Sequence, residues 1–201
     1  GCEKRRKDLF GRKKIHQDVR MQEPQAGVVT GLAWTSAGGE ILFIETSRTK
    51  GEGKVQITGQ LGDVMKESVQ IALTLVKSMF PEEAETLNES DIHIHVPAGA
   101  VPKDGPSAGI TIVTALTSML KEKGISPEYA MTGEVSLRGG VMPIGGLPEK
   151  LMAAQRAGIR TVFIPYENRE DLEDVADEVK EDLTIIPVKR IEEVLQKTNL
   201  I

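Results

Sequence analysis

Short apolar runs of strand length alternate with amphipathic runs of helix length along the second half of the chain. "TVFIP" (161–165) and "LTIIPV" (183–188) have the composition of buried strands. Helix-like runs stand next to them, "GLPEKLMAAQRAG" (146–158), which stops at Gly158, and "RIEEVLQKT" (190–198). This alternation is typical of an α/β domain, in which helices cover a sheet.

The first half of the chain is richer in strand patterns. "GVVTGLAWT" (27–35) and "GEILFIETS" (39–47) predict a hairpin around the turn "SAGG", and "KVQITG" (54–59) predicts a third strand. Apolar residues between Met65 and Phe80 recur on one helical face, and Pro81 ends that helix. We therefore predict an α/β fold with a mixed β-sheet and packed helices.

Three further segments complete the predicted elements. "SAGITIVTALTSMLKEKG" (107–124) has the pattern of a helix that ends at Gly124. "MTGEVSLRGGVMPIGG" (131–146) predicts two short strands around a Gly-Gly turn, and "NREDLEDVADEV" (168–179) predicts an acidic helix.

Composition indicates a globular protein with an aliphatic core. The 201 residues suffice for one sizeable domain, and aromatic residues make up 3% of them. No run of about 18 apolar residues predicts a membrane span, and the single cysteine, Cys2, suits a reducing compartment. Because the chain begins with Gly1, we expect a processed chain or a piece of a longer one.

Charge is distributed unevenly along the chain. Residues 1–25 carry eight Lys and Arg against four acidic residues, whereas the remainder is acidic and brings the net charge to −5. We predict a basic linker or arm over 1–26 and a folded domain over 27–201. A solvated linker is favoured over a nucleic-acid contact, because no aromatic residues are interleaved for base stacking. The acidic body argues against nucleic acid as the main partner.

The stretch "PKDGPSAG" (102–109) places Ser107 directly after a Gly-Pro corner and before an apolar helix pattern. The amide groups of a first helical turn lack intrahelical partners and lie at the positive end of the helix dipole. Ser107 is therefore either a helix N-cap or a nucleophile with an oxyanion site beside it.

A nucleophilic serine needs a base, and the chain has three histidines. His16 lies in the basic arm. His93 and His95 share one face of a predicted strand, whose other face carries Ile92 and Ile94. His95 is a candidate base for Ser107, but a structural role or a place in the lining of a site is favoured for both. No third ligand accompanies them, so we predict no metal site.

Lys150 is the other candidate base. It projects on the same side of its predicted helix as Leu147 and Ala154, which belong to the buried stripe of that helix. A lysine in this position either extends its amine to water or is desolvated. Desolvation lowers the pKa of an amine, so that the neutral form can accept a proton from serine.

Taken together, "PKDGPSAG" and "GGLPEK" (145–150), with Ser107 and Lys150 43 positions apart, resemble the proteolytic domain of the Lon family. The resemblance runs from about Gly27 to the C-terminus. It includes "GVVTGLAWT", "TGQLGDVMKES" (58–68), "HIHVPAGAVPKDGPSAG" (93–109) and "MTGEVSLRGGVMPIGG". "LFG" (9–11) and the stretch after it resemble the linker that joins the ATPase module of Lon to its protease domain.

The resemblance implies roles for particular residues. Ser107 matches the nucleophile of the family, Lys150 matches its general base, and Thr132 matches a threonine that orients the lysine. Asp104 matches an aspartate that approaches the serine–lysine dyad in inactive forms. Substrate binding by strand addition is implied for the segment from Ala100 to Lys103. The substrate-binding candidates are Trp34, Ala100, Val101 and Pro102. The family usually has Glu where this chain has Ala98, and that leaves the role of this position open.

No GxxxxGK[ST] motif occurs in the sequence, so the chain supplies no ATP site and we predict no cofactor for it. By resemblance, ATP and Mg²⁺ belong to an ATPase module elsewhere in the parent protein. The resemblance further implies unfolded polypeptide substrates, a hexameric ring, no membrane partner, and a cytoplasmic location, with the mitochondrial matrix as the alternative. Two rival functions remain open: a Lon-like peptidase without an ATPase, and a non-catalytic peptide-binding domain on the same fold.

Overall fold

The structure is a computed structural model that describes Val19, residues 22–97 and residues 105–201. Seven of its strands form one sheet: β1 (Val28–Thr35), β2 (Gly38–Lys50), β3 (Val55–Thr58), β4 (Ser90–His95), β5 (Tyr129–Met131), β8 (Thr161–Pro165) and β9 (Thr184–Val188). Their spatial order is β3-β4-β2-β1-β5-β8-β9. A separate two-stranded hairpin is made of β6 (Glu134–Val135) and β7 (Val141–Met142).

Strand direction gathers six strand ends at one edge of the sheet. β2 is antiparallel to both of its neighbours, β1 and β4, and every other pairing in the sheet is parallel. The carboxyl ends of all strands except β2 therefore lie at the same edge. Loops at this edge of a parallel sheet are where open α/β folds build their binding sites.

Six α-helices are described, and they pack on both faces of the sheet. They are α1 (Asp63–Met79), α2 (Pro81–Glu85), α3 (Gly109–Lys121), α4 (Leu147–Arg156), α5 (Asp177–Asp182) and α6 (Ile191–Lys197). One core joins α1, α3 and α6 to one face, with Val29 and Ile44 pointing into it from the sheet. A second core joins α4 and α5 to the other face, where Leu32 and Val162 contribute. The predicted α/β fold with a mixed sheet is confirmed.

The predicted acidic helix over 168–179 is wrong. The chain forms 3₁₀ turns over Tyr166–Asp174, becomes extended at Val175, and begins helix α5 at Asp177. The physical reason is visible at Asn168, whose side chain hydrogen-bonds the backbone of Ile144 and the carboxylate of Asp171. Asn and Asp side chains that make such bonds compete with regular helix formation.

Pro81 ends α1 as predicted and also begins α2, since the first turn of a helix does not need the amide that proline lacks. The predicted helix over 107–124 starts with a 3₁₀ turn, Pro106–Ala108, and its α-helical part ends at Lys121. No helix in the described part of the chain is long and apolar enough to cross a membrane.

The predicted arm over 1–26 falls mostly outside the described residues. Val19 is described, and it is buried in the core beneath α4, where its amide donates to the carbonyl of Ala157 over 2.8 Å. The folded body therefore includes at least one residue before Gly27. The remaining boundary between arm and domain stays a prediction.

Candidate active site

A cleft of about 570 Å³ opens at the edge where the strand ends gather. Its walls come from the β1–β2 hairpin, the start of β2, the segment that begins α3, the loop before α4, and one side chain of α1. The lining residues are Ala33–Ser36, Glu40–Leu42, Met65, Gly105–Ala108, Pro143–Gly145 and Lys150. Ser107 and Lys150 thus line the same cleft, although α3 and α4 pack on opposite faces of the sheet.

Ser107 lies in the 3₁₀ turn Pro106–Ala108 and is half-buried at the cleft wall. Gly105 precedes this turn with φ of 148°, a backbone conformation that favours glycine. The N-cap residue of α3 is Ala108, and no side-chain hydrogen bond caps this helix. The sequence left Ser107 as either a cap or a nucleophile, and the structure does not use it as a cap.

Backbone hydrogen bonds fix the turn that carries Ser107. Its carbonyl accepts the amide of Gly133 over 2.8 Å, and the carbonyl of Gly133 accepts the amide of Ile110 over 3.0 Å. The amide of Gly109 donates to the carbonyl of Pro106. Because the amides of Gly109 and Ile110 are engaged, the candidate donors for an oxyanion are the earlier amides, those of Ser107 and Ala108.

Lys150 is buried on the sheet-facing side of α4, with 2% of its surface exposed. Its neighbours on that side, Leu147 and Leu151, are buried as well. The amine therefore does not extend to water, which excludes one of the two alternatives that the sequence left open. Desolvation by burial lowers the pKa of Lys150 from 10.5 to about 8.

Thr132 connects the lysine to the serine turn. Lys150 Nζ donates to Thr132 Oγ1 over 3.1 Å, and both side chains are buried. Thr132 follows the end of β5, and its amide donates to the carbonyl of Phe163 in β8. The next residue, Gly133, holds the carbonyl of Ser107. One backbone segment therefore contacts the lysine amine through a side chain and the serine through an amide.

Two close approaches set the position of α4. A Cβ atom added at Gly39 would lie 2.0 Å from the carbonyl oxygen of Glu149, so the start of β2 touches the helix backbone beside Lys150. Gly146 has φ of 71° at the N-terminus of α4, and a Cβ there would lie 2.8 Å from Cγ of Trp34. The Trp34 side chain is 61% exposed and lies at the mouth of the cleft.

The two strand histidines do not line this cleft. His93 and His95 lie on one face of β4 as predicted, opposite Ile92 and Ile94. His93 Nε2 and His95 Nδ1 both hydrogen-bond Thr58 Oγ1, over 2.8 and 2.6 Å. Within the described ranges, no group of three or more His, Cys, Asp or Glu side chains could hold a metal ion.

Several predicted site residues lie outside the described residues. They are Asp104 and the substrate-binding candidates Ala100, Val101 and Pro102, together with Ala98. Their roles stay predictions. Of the predicted residues that are described, Ser107, Lys150 and Trp34 line the cleft, Thr132 touches Lys150, and His95 lies elsewhere.

Sequence reasoning missed two residues that shape this site. Gly39 was interpreted as part of a turn, and its contact with α4 arises from tertiary packing. Asn168 was placed in an acidic helix, although it is buried and holds Ile144 in the cleft wall. An asparagine soon after the strand pattern "TVFIP" was the available signal, because Asn favours turns and local backbone contacts.

A family model for the Lon protease (S16) C-terminal proteolytic domain matches residues 2–200 of the chain. This match covers the fold and every element of the cleft described above. The chain therefore belongs to the family of Lon protease C-terminal proteolytic domains.

Individual relatives agree with this assignment. A protein named "Lon protease" from Clostridium beijerinckii is 58% identical over 191 residues, which cover 95% of this chain and 24% of that protein. "Lon protease" from Methanosarcina barkeri is 53% identical over 193 residues, with the same two coverages. "Lon protease 1" from Bdellovibrio bacteriovorus is 50% identical over 193 residues. The chain spans about a quarter of the length of these relatives.

Proposed function

We propose that the chain is a serine endopeptidase domain that hydrolyses peptide bonds with a Ser107–Lys150 dyad. The observation that carries this proposal is a buried amine in the same cleft as the serine hydroxyl. Its pKa of about 8 means that an appreciable fraction of Lys150 is neutral near neutral pH, and the neutral amine can act as a base.

In the proposed acylation, the Lys150 amine takes the proton of the Ser107 hydroxyl while Oγ attacks the carbonyl carbon of the substrate. A C–O bond forms, and the negative charge moves to the carbonyl oxygen, where the amides of Ser107 and Ala108 stabilise it. Collapse of this intermediate breaks the C–N bond. Lys150 gives its proton to the leaving amine, and an ester on Ser107 remains.

In the proposed deacylation, water attacks the ester carbonyl and gives its proton to Lys150. The C–O bond to Ser107 breaks, and Lys150 returns the proton to Oγ, which restores the starting state. Thr132 accepts a hydrogen bond from Lys150 Nζ in the free domain. We expect this contact to hold the orientation of the amine in both halves of the cycle.

The substrates proposed for the parent protein are unfolded polypeptides. The β1–β2 hairpin forms one wall of the cleft, and the exposed ring of Trp34 lies at its mouth. An extended polypeptide could pair with the hairpin and pack against this ring. Because the chain belongs to this family, we also propose that the parent protein forms a hexameric ring. In that ring, an ATPase module would use ATP and Mg²⁺ to deliver the substrate. The cytoplasmic location and the absence of nucleic-acid and membrane partners stay predictions.

Two alternatives follow from the same fold. A Lon-like peptidase without an ATPase would use the same chemistry. A non-catalytic peptide-binding domain would not need a lysine whose charge is penalised by burial, and the retained Lys150 argues against it.

Hydrolysis of an unfolded protein by the wild-type chain and by Ser107→Ala tests the proposal. We expect cleavage by the wild type and none by the variant, with unchanged circular dichroism, because Ser107 caps no helix. Turnover retained in Ser107→Ala would rule out the serine mechanism.

A further inference from the structure

A buried asparagine holds one wall of the cleft. Asn168 is 4% exposed, and its side-chain amide makes three hydrogen bonds. Oδ1 accepts the amide of Ile144 over 2.9 Å, while Nδ2 donates to the carbonyl of Ile144 over 2.8 Å and to Asp171 Oδ2 over 2.7 Å. Both N–H donors of the amide are thereby used, and the carbonyl oxygen has a partner as well.

Ile144 belongs to the loop between β7 and α4, and Pro143, Ile144 and Gly145 line the cleft. Asn168 binds both backbone groups of Ile144, as a neighbouring strand would. The loop continues into Gly146, at the N-terminus of α4, where no side-chain hydrogen bond caps the helix. The carbonyl of Gly146 then accepts the amide of Lys150 over 3.0 Å.

We propose that Asn168 is a positioning residue that fixes the loop 143–146 and, through it, the first turn of the helix that carries Lys150. This inference rests on the proposed function, in which Lys150 is the base. Asp171 orients the Asn168 amide, because a carboxylate accepts from Nδ2 and would repel Oδ1. The hydrogen bonds therefore permit one of the two amide orientations.

The same contacts restrict how the loop can meet a substrate. The amide and the carbonyl of Ile144 are both occupied by Asn168, and Pro143 has no amide hydrogen. Ile144 therefore meets the substrate through its apolar side chain, because its backbone groups are already paired.

The test compares Asn168→Ala with a matched control, Asn88→Ala, which changes an exposed asparagine in another 3₁₀ turn. We expect kcat for a peptide substrate to fall by about 100-fold in Asn168→Ala, since small displacements of a catalytic group have effects of this size. The control should keep its activity. A loss of stability in Asn168→Ala without a fall in kcat would overturn the proposal.

A second measurement does not depend on catalysis. The pKa of Lys150 is followed by NMR of its Cε carbon in a Ser107→Ala background. Apart from Lys150, the described lining of the cleft contains one acidic or basic side chain, that of Glu40, which is exposed and unchanged in these variants. We expect the pKa to rise from about 8 towards 10.5 when Asn168→Ala loosens the loop and lets water reach the amine. An unchanged pKa would contradict the proposal.

A pair of isosteric changes covers the case in which Asn168→Ala does not fold. Asn168→Asp places a second carboxylate against Asp171 and should reduce kcat strongly. Adding Asp171→Asn should restore part of it, because the new amide can donate to one oxygen of the carboxylate at position 168 while the other accepts from the amide of Ile144; the carbonyl of Ile144 loses its donor in both variants, so restoration stays partial. Activity of Asn168→Asp equal to that of the wild type would overturn the orienting role of Asp171.

The proposed function and the role of Asn168 can fail separately. If the wild type itself hydrolyses no peptide, the proposed function fails. The Lys150 titration still tests whether Asn168 positions the helix that carries this lysine, because it needs no turnover.

Discussion

At the scale of single residues, Lys150 has the largest pKa shift among the described groups. Its side chain lies among Leu147 and Leu151, with Thr132 Oγ1 as its hydrogen-bond partner. Burial penalises the charged form of the amine, and this lowers its pKa to about 8. The same burial that produces a base near neutral pH therefore also costs stability whenever the amine is protonated.

The cost of burying Lys150 should appear as a pH-dependent stability. Well below pH 8 the amine is mostly protonated in both the folded and the unfolded chain, and between pH 8 and 10.5 the unfolded chain holds more protons. Stability from this group therefore rises with pH across that window, by about 3 kcal/mol. Denaturant unfolding of wild type and Lys150→Met over a pH series measures it, since the variant removes this titration and keeps every other titratable group. A difference between the two that does not change with pH would contradict the lowered pKa.

The proposed base can be separated from histidine by its pH profile. We expect Lys150→Arg to be inactive, because an arginine stays protonated at any working pH. In the wild type, the acid limb of kcat/KM should have a midpoint near 8 rather than near the histidine value of about 6.5. His95→Ala is the control and should keep measurable activity, because His95 contacts Thr58 and not the cleft. If His95→Ala were inactive while Lys150→Arg still turned over, the base would have to be reassigned.

The hydrogen bond between Lys150 and Thr132 is expected to matter more for turnover than for folding. Thr132→Val keeps the shape of the side chain and removes the hydroxyl, so the amine loses the partner that orients it. Stability should change by about 1 kcal/mol, while kcat should fall strongly. Thr111→Val is a matched control, because the Thr111 hydroxyl is buried without a hydrogen-bond partner. Equal activities of the two variants would show that Thr132 has no orienting role.

At the scale of elements, the position of α4 depends on its backbone contact with the start of β2. Gly39 leaves no room for a side chain, because a Cβ would lie 2.0 Å from the carbonyl oxygen of Glu149. The residue beside that contact is Lys150. A glycine in β2 thereby sets the distance between the sheet and the proposed base.

Gly39→Ala should push α4 away from the sheet and lower both stability and activity. We expect a loss of about 1–3 kcal/mol, the range for overpacking at a site that cannot relax freely. Gly145→Ala is the control for stability, because no atom lies within 4 Å of the added Cβ and the backbone needs no positive φ. Thermal unfolding of both variants decides the point. Equal melting temperatures would mean that α4 accommodates the methyl group.

The order of strands and helices could be predicted from the sequence because most elements carry their own pattern. The alternation of Ile92 and Ile94 with His93 and His95 defines β4, and the buried stripe of α4 places Lys150 on the inner side. The resemblance then paired Lys150 with Ser107. Ser107 and Lys150 line the same cleft because tertiary packing brings α3 and α4 to the same edge of the sheet.

The features that could not be predicted arise from contacts distant in sequence. The acidic spacing over 168–179 has helical periodicity, but Asn168 gains more hydrogen bonds from Ile144 and Asp171 than a helix would offer its side chain. Gly39 has the composition of a turn, and its contact with Glu149 joins residues 110 positions apart. The contact of Gly39 leaves no local pattern in the sequence, and the local signal at Asn168 is only that asparagine favours turns.

At the scale of the whole molecule, the chain corresponds to about a quarter of its full-length relatives. The proteolytic site proposed here is built within this quarter, and the sequence contains no GxxxxGK[ST] motif for a nucleotide. We therefore propose that coupling to ATP depends on parts of the parent protein outside this chain.

Cleavage of short peptides by this chain should accordingly be indifferent to ATP. We also expect weak self-association, with hexamers forming only at high concentration. The reason is that the proposed ring also involves contacts made by parts of the parent protein outside this domain. Peptide assays with and without nucleotide, and light scattering over a concentration series, measure the two effects. Stimulation of the purified chain by ATP would place a nucleotide site within it.

The central claim is that Ser107 is a nucleophile activated by Lys150, and covalent capture tests it most directly. A peptide boronate is added to the wild type, to Ser107→Ala and to Lys150→Met, and the boron is followed by ¹¹B NMR. We expect a shift from trigonal to tetrahedral boron in the wild type, none in Ser107→Ala, and a much weaker adduct in Lys150→Met. Tetrahedral boron of equal occupancy in Ser107→Ala would contradict the central claim.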